Sequence, residues 1–313
     1  MTFTDSMKLN ILYIHQYFKT PEEGGVTRSY EIAKQLVKKG HHVTLITSWN
    51  KGQFEKKNIE GIEVIYLPVT YKNSFGFFRR VISFFFFKRK AIICGKKLAR
   101  PDVIYATSTP LTVGLVGKKL GSYFDCPWVF EVRDLWPEVP IQLGIINSSI
   151  LKNILYKTEE TLLISASKII ALSPFNKEYI HKITPDKCEL VSNFSNNTLY
   201  QFHQNKQLAS EKFRIGYFGA ISTANGLDRF VELAQYAFTH KLTQFEFILA
   251  GQGKAENKLK SLTNNLPNLI FLGHLNKEKI ADTMLTCQAS YISFLNNDIM
   301  QSCSPNKFFD SLA

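Results

Sequence analysis

Short apolar runs alternate with amphipathic stretches along most of this chain. The run LNILYIH (9–15) has the length and composition of a strand buried on both faces of a parallel sheet. The stretch GGVTRSYEIAKQLVKKG follows, with Ile32, Ala33, Leu36 and Val37 recurring at helical spacing. Gly40 stands where a helix-terminating glycine belongs, and HVTLITS is the next strand. Strand, glycine loop, helix and strand together predict a right-handed βαβ unit of a doubly wound sheet. The rhythm continues through IEVIYLPV (62–69), PDVIYATS (101–108), PWVFEVRD (127–134) and KIIALS (168–173). A polar stretch over 193–212 interrupts it and predicts a linker. A second alternation then begins with FRIGYFG (213–219) and FEFILAG (245–251), a helix lying between them. LIFLG and ASYISFL are further strands, and SPNKFFDSLA opens a helix.

The pattern therefore predicts an α/β protein of two Rossmann-like domains, residues 1–195 and 213–313, joined by a linker at 196–212. The chain stops at Ala313, inside or just after the helix that SPNKFFDSLA opens, which would leave a sheet edge uncovered; a truncated second domain is the expectation, an unusually small one the alternative.

Charge changes this picture more than composition does. At 313 residues, 45% hydrophobic and 20% charged, the chain is ordinary for a soluble protein. Its net charge of +12 is uneven: 27 of the 38 Lys and Arg precede residue 196, against 17 of the 26 Asp and Glu. An anionic partner is expected to meet the first domain. The five cysteines are scattered without a CxxC pair, and the start MTFTDSMKLN has no apolar leader core. Reduced thiols and a cytoplasmic location are the expectation.

The stretch FFRRVISFFFFKRK (77–90) concentrates the basic excess, with nine basic residues and no acidic one between Lys72 and Arg100. Its apolar core is far shorter than the roughly 20 residues that span a bilayer. On a helical wheel Phe77, Phe78, Val81, Ile82, Phe84, Phe85 and Ile92 share one side. Arg79, Arg80, Ser83 and Lys90 lie opposite, with Lys88 and Arg89 beside the apolar face. Two alternatives stand: an interfacial helix on anionic lipid, presenting Phe77, Phe78, Arg79, Arg80, Phe84, Phe85, Lys88 and Arg89, or a core helix with a solvated basic face. Phe84 to Phe87 cannot all face one core. Nucleic acid is not expected, because the aromatics cluster rather than space out as stacking platforms.

The stretches GGVTRSYEIAKQLVKKGHHVTLITS, PDVIYATSTPL and FEVRDLWPEVPIQLG resemble the N-terminal half of family 4 glycosyltransferases of GT-B fold. AGQG, FLGHL and SPNKFFDSLA resemble the C-terminal half up to its donor-site helix. The likeness is strongest to the subgroup adding amino sugars in bacterial capsule, O-antigen and exopolysaccharide synthesis, and relative to that subgroup the resemblance implies a C-terminally truncated chain. The resemblance implies two Rossmann-like domains across a cleft, a UDP-sugar donor held by the second domain, and a polyprenyl-diphosphate-linked acceptor held by the first. It also implies retention of anomeric configuration. With that acceptor the lipid alternative is preferred for the Phe-rich helix, placing the protein peripherally on the inner face of the cytoplasmic membrane.

Several residues carry the implied chemistry. Gly24 and Gly25 let backbone approach a ligand at a helix start. Arg133 is a candidate phosphate partner, and Asp134 is a candidate to orient the acceptor hydroxyl or take its proton. In the Glu–seven residues–Glu pattern of the family, Asp310 takes the second position and would accept from the ribose hydroxyls, while Ser302 replaces the first acid. Lys307 is a partner for the diphosphate, and Ser304 and Asn306 are candidate helix caps. The loop after Gly219 lacks the basic pair of the wider family, so donor phosphate is expected to rest on backbone amides, Lys307 and Arg133. Gly251 and Gly253 are expected near the base, or else form only a turn. No Asp-x-Asp pair occurs, so catalysis is expected to need no metal or other cofactor, with positive side chains and helix dipoles stabilising the leaving diphosphate. Two competing functions remain: a non-catalytic truncated chain that binds lipid or nucleotide only, and a nucleotide-sugar epimerase.

Overall fold

The computed structural model describes residues 7–23, 27–72, 75–142, 144–195, 211–263, 266–296, 300 and 304–313. Gly24, Gly25, Ser302 and most of the expected linker lie outside them. The described residues form two compact units, one ending at Ser192 and the other beginning at Asn193.

The first unit is an eight-stranded sheet. Its strands are β1 (Asn10–Ile14), β2 (His42–Trp49), β3 (Glu55–Ile59), β4 (Ile62–Pro68), β5 (Val103–Thr107), β6 (Trp128–Val132), β7 (Lys168–Ala171) and β8 (Cys188–Leu190). They run in the order β3-β4-β2-β1-β5-β6-β7-β8, all parallel except the β3–β4 hairpin. β1 lies mid-sheet, pairing Ile11 with both Val43 and Val103. Its alternate side chains divide between two cores: Leu12 and Ile14 pack on one face, Ile11 and Tyr13 on the other. Burial on both faces is why these strands are continuous apolar runs.

Helices α1 (Arg28–Lys38), α2 (Phe77–Gly95), α3 (Thr112–Phe124), α4 (Glu138–Gln142), α5 (Ser149–Ser165) and α6 (Pro174–Ile183) connect the strands. α1 ends as its sequence predicts: Gly40 takes φ +88° and its N–H bonds the Val37 carbonyl at 2.9 Å.

The Phe-rich segment is α2, and its phase differs from the wheel. Its buried side is Ser83, Phe84, Phe87, Ala91 and Gly95. Phe84, expected on the outward lipid side, instead packs against Tyr17, Tyr71 and Trp136. Ser83, expected in solvent, is buried and donates to the Thr70 carbonyl at 3.0 Å. Ile92 packs against the core. The outward stripe is Phe78, Ile82, Phe85, Phe86 and Ile93, all exposed. The four phenylalanines thus divide two and two, because the sheet behind α2 offers one stripe of contact and no more. Phe87 is wholly buried, and truncating it to Ala would cost about 3–5 kcal/mol. Among the described residues no helix is long and apolar enough to cross a membrane.

The second unit is a four-stranded parallel sheet, β11-β10-β9-β12, from β9 (Phe213–Phe218), β10 (Phe245–Ala250), β11 (Leu269–Gly273) and β12 (Ala289–Ser290). Of the expected strand ASYISFL only its first two residues join the ladder. α7 (Asp228–Thr239), α8 (Glu256–Leu262) and α9 (Lys277–Met284) flank the sheet, and a final helix spans Asn306–Leu312. Tyr217, Phe230, Phe247 and Leu249 centre its core. Neither Ser304 nor Asn306 caps the final helix; Pro305 holds the N-cap position and no side-chain bond is made there.

Candidate functional site

In each unit the polar residues gather where strands end at their carboxyl side, the usual ligand position of doubly wound sheets. The two gatherings are built differently.

In the first unit, Arg133 and Asp134 follow β6. Asp134 is exposed and accepts from Thr109 Oγ1 at 3.0 Å. Arg133 is half-buried, its backbone fixed on both sides: its N–H bonds Ser108 Oγ at 3.0 Å, and its carbonyl accepts from Asn176 Nδ2 at 3.4 Å. Asn176 is placed by α6, whose N-cap Ser173 accepts from the Asn176 N–H at 3.1 Å. His15, directly after β1, is buried, and Nδ1 has no hydrogen-bond partner. Burial, with the positive charge of Arg133 adding to it, holds this imidazole's pKa well below its ordinary value, so His15 is neutral. Beside it Gln16 is fully buried, its carbonyl accepting from Ser48 Oγ at 2.8 Å.

A buried ion pair stands beneath this surface. Arg28 Nε donates to Glu131 Oε1 at 2.8 Å, with both side chains shut from solvent. The other guanidinium nitrogens donate to the Ser192 and Val191 carbonyls at 2.7 and 2.8 Å, and Thr107 Oγ1 donates to the second Glu131 oxygen. Every charge is thus hydrogen-bonded, the condition under which a buried pair is tolerated. A second carboxylate, Glu159, accepts from Tyr179 Oη at 2.8 Å. Burial, opposed by the Tyr179 bond and helped by the charge of Glu138, pushes its pKa up to about 7.

The second unit builds its gathering from backbone. Gly219 directly follows β9 at φ +151° and Gly251 directly follows β10 at φ +159°. A Cβ on Gly251 would stand 1.8 Å from the Gly219 carbonyl oxygen, and one on Gly253 would stand 2.1 Å from that of Ile221. Backbone bonds join the two loops, Gly219 N–H to Ala250 O at 3.0 Å and Ile221 N–H to Gln252 O at 3.0 Å. Gly251 and Gly253 are therefore required by packing of loop on loop, whatever else they do. Asn225 Nδ2 and Tyr217 Oη both donate to the Ala220 carbonyl, at 2.8 and 2.7 Å.

Lys307, in the first turn of the final helix, enters this loop. Its Nζ donates to Tyr217 Oη at 3.1 Å and Asn225 Oδ1 at 3.0 Å, and lies 4.5 and 5.0 Å from the Tyr217 and Phe294 ring centroids. A Cβ on Gly219 would come within 3.8 Å of that ammonium. Asp310, one turn further along, accepts from Ser195 Oγ at 2.9 Å. An ammonium held against a glycine-edged loop, with a carboxylate one turn away, can serve a diphosphate and a vicinal diol together.

Each candidate among the described residues is thus placed. Arg133 and Asp134 adjoin in one unit; Gly219, Lys307, Gly251 and Gly253 converge in the other. His15, Glu131, Tyr217 and Asn225 had not been singled out. His15 directly follows β1 and Asn225 sits in a loop, while Glu131 and Tyr217 lie within β6 and β9 near their carboxyl ends, so only proximity to a strand end could have signalled them.

No curated protein matches this chain. Among solved structures, sucrose-phosphate synthase from Thermosynechococcus elongatus aligns with a TM-score of 0.69 at 17% identity, over 92% of this chain and 77% of that one. WaaG, a glycosyltransferase involved in lipopolysaccharide biosynthesis, aligns at 0.58 and 14% identity, over 96% and 83%. Anabaena HepE, in complex with UDP and glucose, aligns at 0.54 and 18% identity, over 91% and 74%. At such identities the likeness is one of fold: α/β with parallel-sheet Rossmann-like domains, as in GT-B glycosyltransferases. Residues 23–196, which include Arg28, Glu131, Arg133 and Asp134, match the profile of Glycosyltransferase Family 4. That match takes in more than half of the 313 residues, and the chain belongs to this glycosyltransferase family.

Proposed function

We propose that this glycosyltransferase moves a hexosamine-type sugar from a UDP-sugar to a lipid-linked acceptor, in the synthesis of a surface polysaccharide. The observation that carries the donor half is Lys307, whose ammonium is held by Tyr217 and Asn225 at the edge of Gly219. In this reading Lys307 and the loop amides take the diphosphate, and Asp310 accepts from the ribose hydroxyls. Gly251 and Gly253 keep the two loops in register beneath them. HepE, which binds UDP and glucose, supports a uridine nucleotide as donor.

The acceptor half falls to the first unit. Asp134, exposed and oriented by Thr109, takes or orients the acceptor hydroxyl proton, and Arg133 offers charge to a phosphate. Transfer proceeds with retention and without a metal, cationic side chains stabilising the leaving diphosphate. The lipid nature of the acceptor is supported by the outward stripe of α2. Arg79 and Arg80 stand in its first turn with no acidic residue, against the helix dipole. Such charges are favourable on an anionic surface, where Phe78, Phe85 and Phe86 would enter the interface and Lys88 and Arg89 meet headgroups. The protein would thus work on the inner face of the cytoplasmic membrane, Phe77 lying beside Phe78 at the start of the helix and Phe84 acting in the fold instead.

Calorimetric titration with UDP, in the absence of divalent metal, tests the donor half. Micromolar affinity is expected, falling about tenfold or more in Lys307→Ala, the loss of one charge-assisted contact. A folded chain that does not bind UDP, or a Lys307→Ala variant that binds it equally well, overturns the assignment.

A further inference from the structure

The final helix of the second unit, Asn306–Leu312, gets little support from its own sequence. It has seven residues, none of its side chains is buried, and no side chain caps its start. A helix this short does not hold itself together in water, so contacts from elsewhere must fix it. Two sets of contacts do so. One is made by Lys307, whose ammonium Tyr217 and Asn225 hold at the edge of Gly219. The other comes from residues 193–195, just past the first unit. Asn193 is buried, and its Nδ2 donates to the carbonyl of Ser304, two residues before the helix begins. Ser195 Oγ donates to Asp310 Oδ1 at 2.9 Å. Phe194 between them is exposed, so the contacts alternate as side chains of an extended segment do. Every residue in both sets belongs to the second unit.

Lys307 and Asp310 are three residues apart and so share one side of the helix. The ammonium is fixed by two hydrogen bonds, whereas the Asp310 carboxylate stands on a rotatable side chain, and Ser195 limits that freedom. Two vicinal hydroxyls can be accepted together only by a carboxylate whose plane suits both. Setting that plane before the ligand arrives cuts the ordering cost of binding. A carboxylate has about four acceptor sites, so an oxygen bonded to Ser195 can still accept from a hydroxyl. We propose, on the reading of Asp310 as the ribose contact, that Ser195 is a positioning residue of the donor site. It sets the Asp310 carboxylate for the 2′- and 3′-hydroxyls of a ribose, and so makes the site select a ribonucleotide over its 2′-deoxy form. Ser195 is not a stand-in that the nucleotide displaces, because buried Asn193, two residues earlier, tethers the segment to Ser304.

The test is calorimetric titration of the full chain, and of its Ser195→Ala and Ser195→Thr variants, with UDP, 2′-deoxy-UDP and inorganic pyrophosphate. The parent chain is expected to bind UDP about tenfold or more tightly than 2′-deoxy-UDP, since a missing hydroxyl leaves the polar group built for it unpaired. In Ser195→Ala the UDP affinity is expected to fall about fivefold and the preference to drop below about threefold. Affinities for 2′-deoxy-UDP and pyrophosphate should change little, the sign that Lys307 and its loop are intact. Ser195→Thr keeps the hydroxyl and is expected to restore the preference. A bond that serves the fold alone would weaken UDP and 2′-deoxy-UDP alike, and that result overturns the proposal. So does tighter UDP binding in Ser195→Ala, which would make the hydroxyl a competitor of the ribose. If the parent chain does not bind UDP, or binds both nucleotides equally, the ribose assignment of Asp310 falls and Ser195 falls with it. If the parent discriminates and Ser195→Ala discriminates as well, only the role of Ser195 falls.

Discussion

The strand ends of the two units do comparable work with opposite materials. In the first unit the candidate residues are held by side chains: Thr109 on Asp134, Ser108 and Asn176 on the Arg133 backbone, Ser173 on Asn176. In the second the loops are held by the absence of side chains, with Gly251 against Gly219 and Gly253 against Ile221. A network of side-chain bonds fails gradually, because each bond contributes only about 0.5–1.5 kcal/mol net. Backbone packed on backbone has no slack, because nothing there can rotate away from an added atom. The first arrangement suits a site that must offer a carboxylate to a varied hydroxyl. The second suits one that must present amides to a phosphate at short range.

The sharpest break of this comparison is Asp134→Asn. The Thr109 bond can still form, so fold and UDP affinity are expected to hold while transfer falls about 10²–10⁴-fold, the usual worth of a positioned acid or base. Steady-state turnover beside a UDP titration reads both; near-normal turnover would remove Asp134 from the chemistry. In the other unit Gly251→Ala should do the reverse. Its methyl meets the Gly219 oxygen at 1.8 Å, so the loops must part. A stability loss of about 3 kcal/mol is expected in denaturant unfolding, together with loss of UDP binding. An unchanged midpoint would show that the loops have room the packing does not suggest.

How much of this was legible in the sequence follows the same division. Strands buried on both faces announce themselves as apolar runs, so β1, β2, β4 to β7, β9 and β10 were plain. β3, EKKNI, was not: it is a polar edge strand made by its turn, where Glu60 and Gly61 take φ +49° and +86° and Asn58 Oδ1 accepts the Gly61 N–H. α2 was visible as a helix but misphased, because phenylalanine occurs on both sides of it and only the sheet decides which pair is buried. Of the candidate site residues, Arg133, Asp134, Lys307 and Asp310 were named through resemblance. The partners that hold Lys307, Tyr217 and Asn225, come from a strand and a loop 82 to 90 residues earlier. No local pattern connects them.

Glu159 sharpens the comparison through pH. Its folded pKa is raised from its ordinary 4.5 to about 7, chiefly by burial, so folding favours its protonated form. The stability tied to this group is fully present below about pH 4.5 and is lost as pH rises through 7. Glu159→Gln keeps the shape, and its amide oxygen can still accept from Tyr179. The variant should therefore gain over the parent chain at pH 8, by up to about 3 kcal/mol, and show little difference at pH 4.5. Melting temperatures across that range decide it, and a gain independent of pH would mean that Glu159 does not titrate there.

The smallest expected effect is the most telling about the side-chain-built site. Ser173 accepts from the Asn176 N–H as the N-cap of α6, and Asn176 in turn donates to the Arg133 carbonyl. Ser173→Ala removes the cap and should cost about 1 kcal/mol of stability. Because Asn176 also loses the bond that sets its backbone, Arg133 should be less firmly placed. Turnover is then expected to fall by a few-fold while UDP affinity stays the same. Ser173→Thr, which keeps the oxygen, should restore both stability and turnover. If Ser173→Ala lowers stability and leaves turnover untouched, the chain of bonds from α6 to Arg133 is scaffold alone. If Thr fails to rescue, the hydroxyl is not what places Asn176. A graded loss that the conservative variant reverses is what a site held by rotatable side chains should give, and what Gly251 against Gly219 has no means of giving.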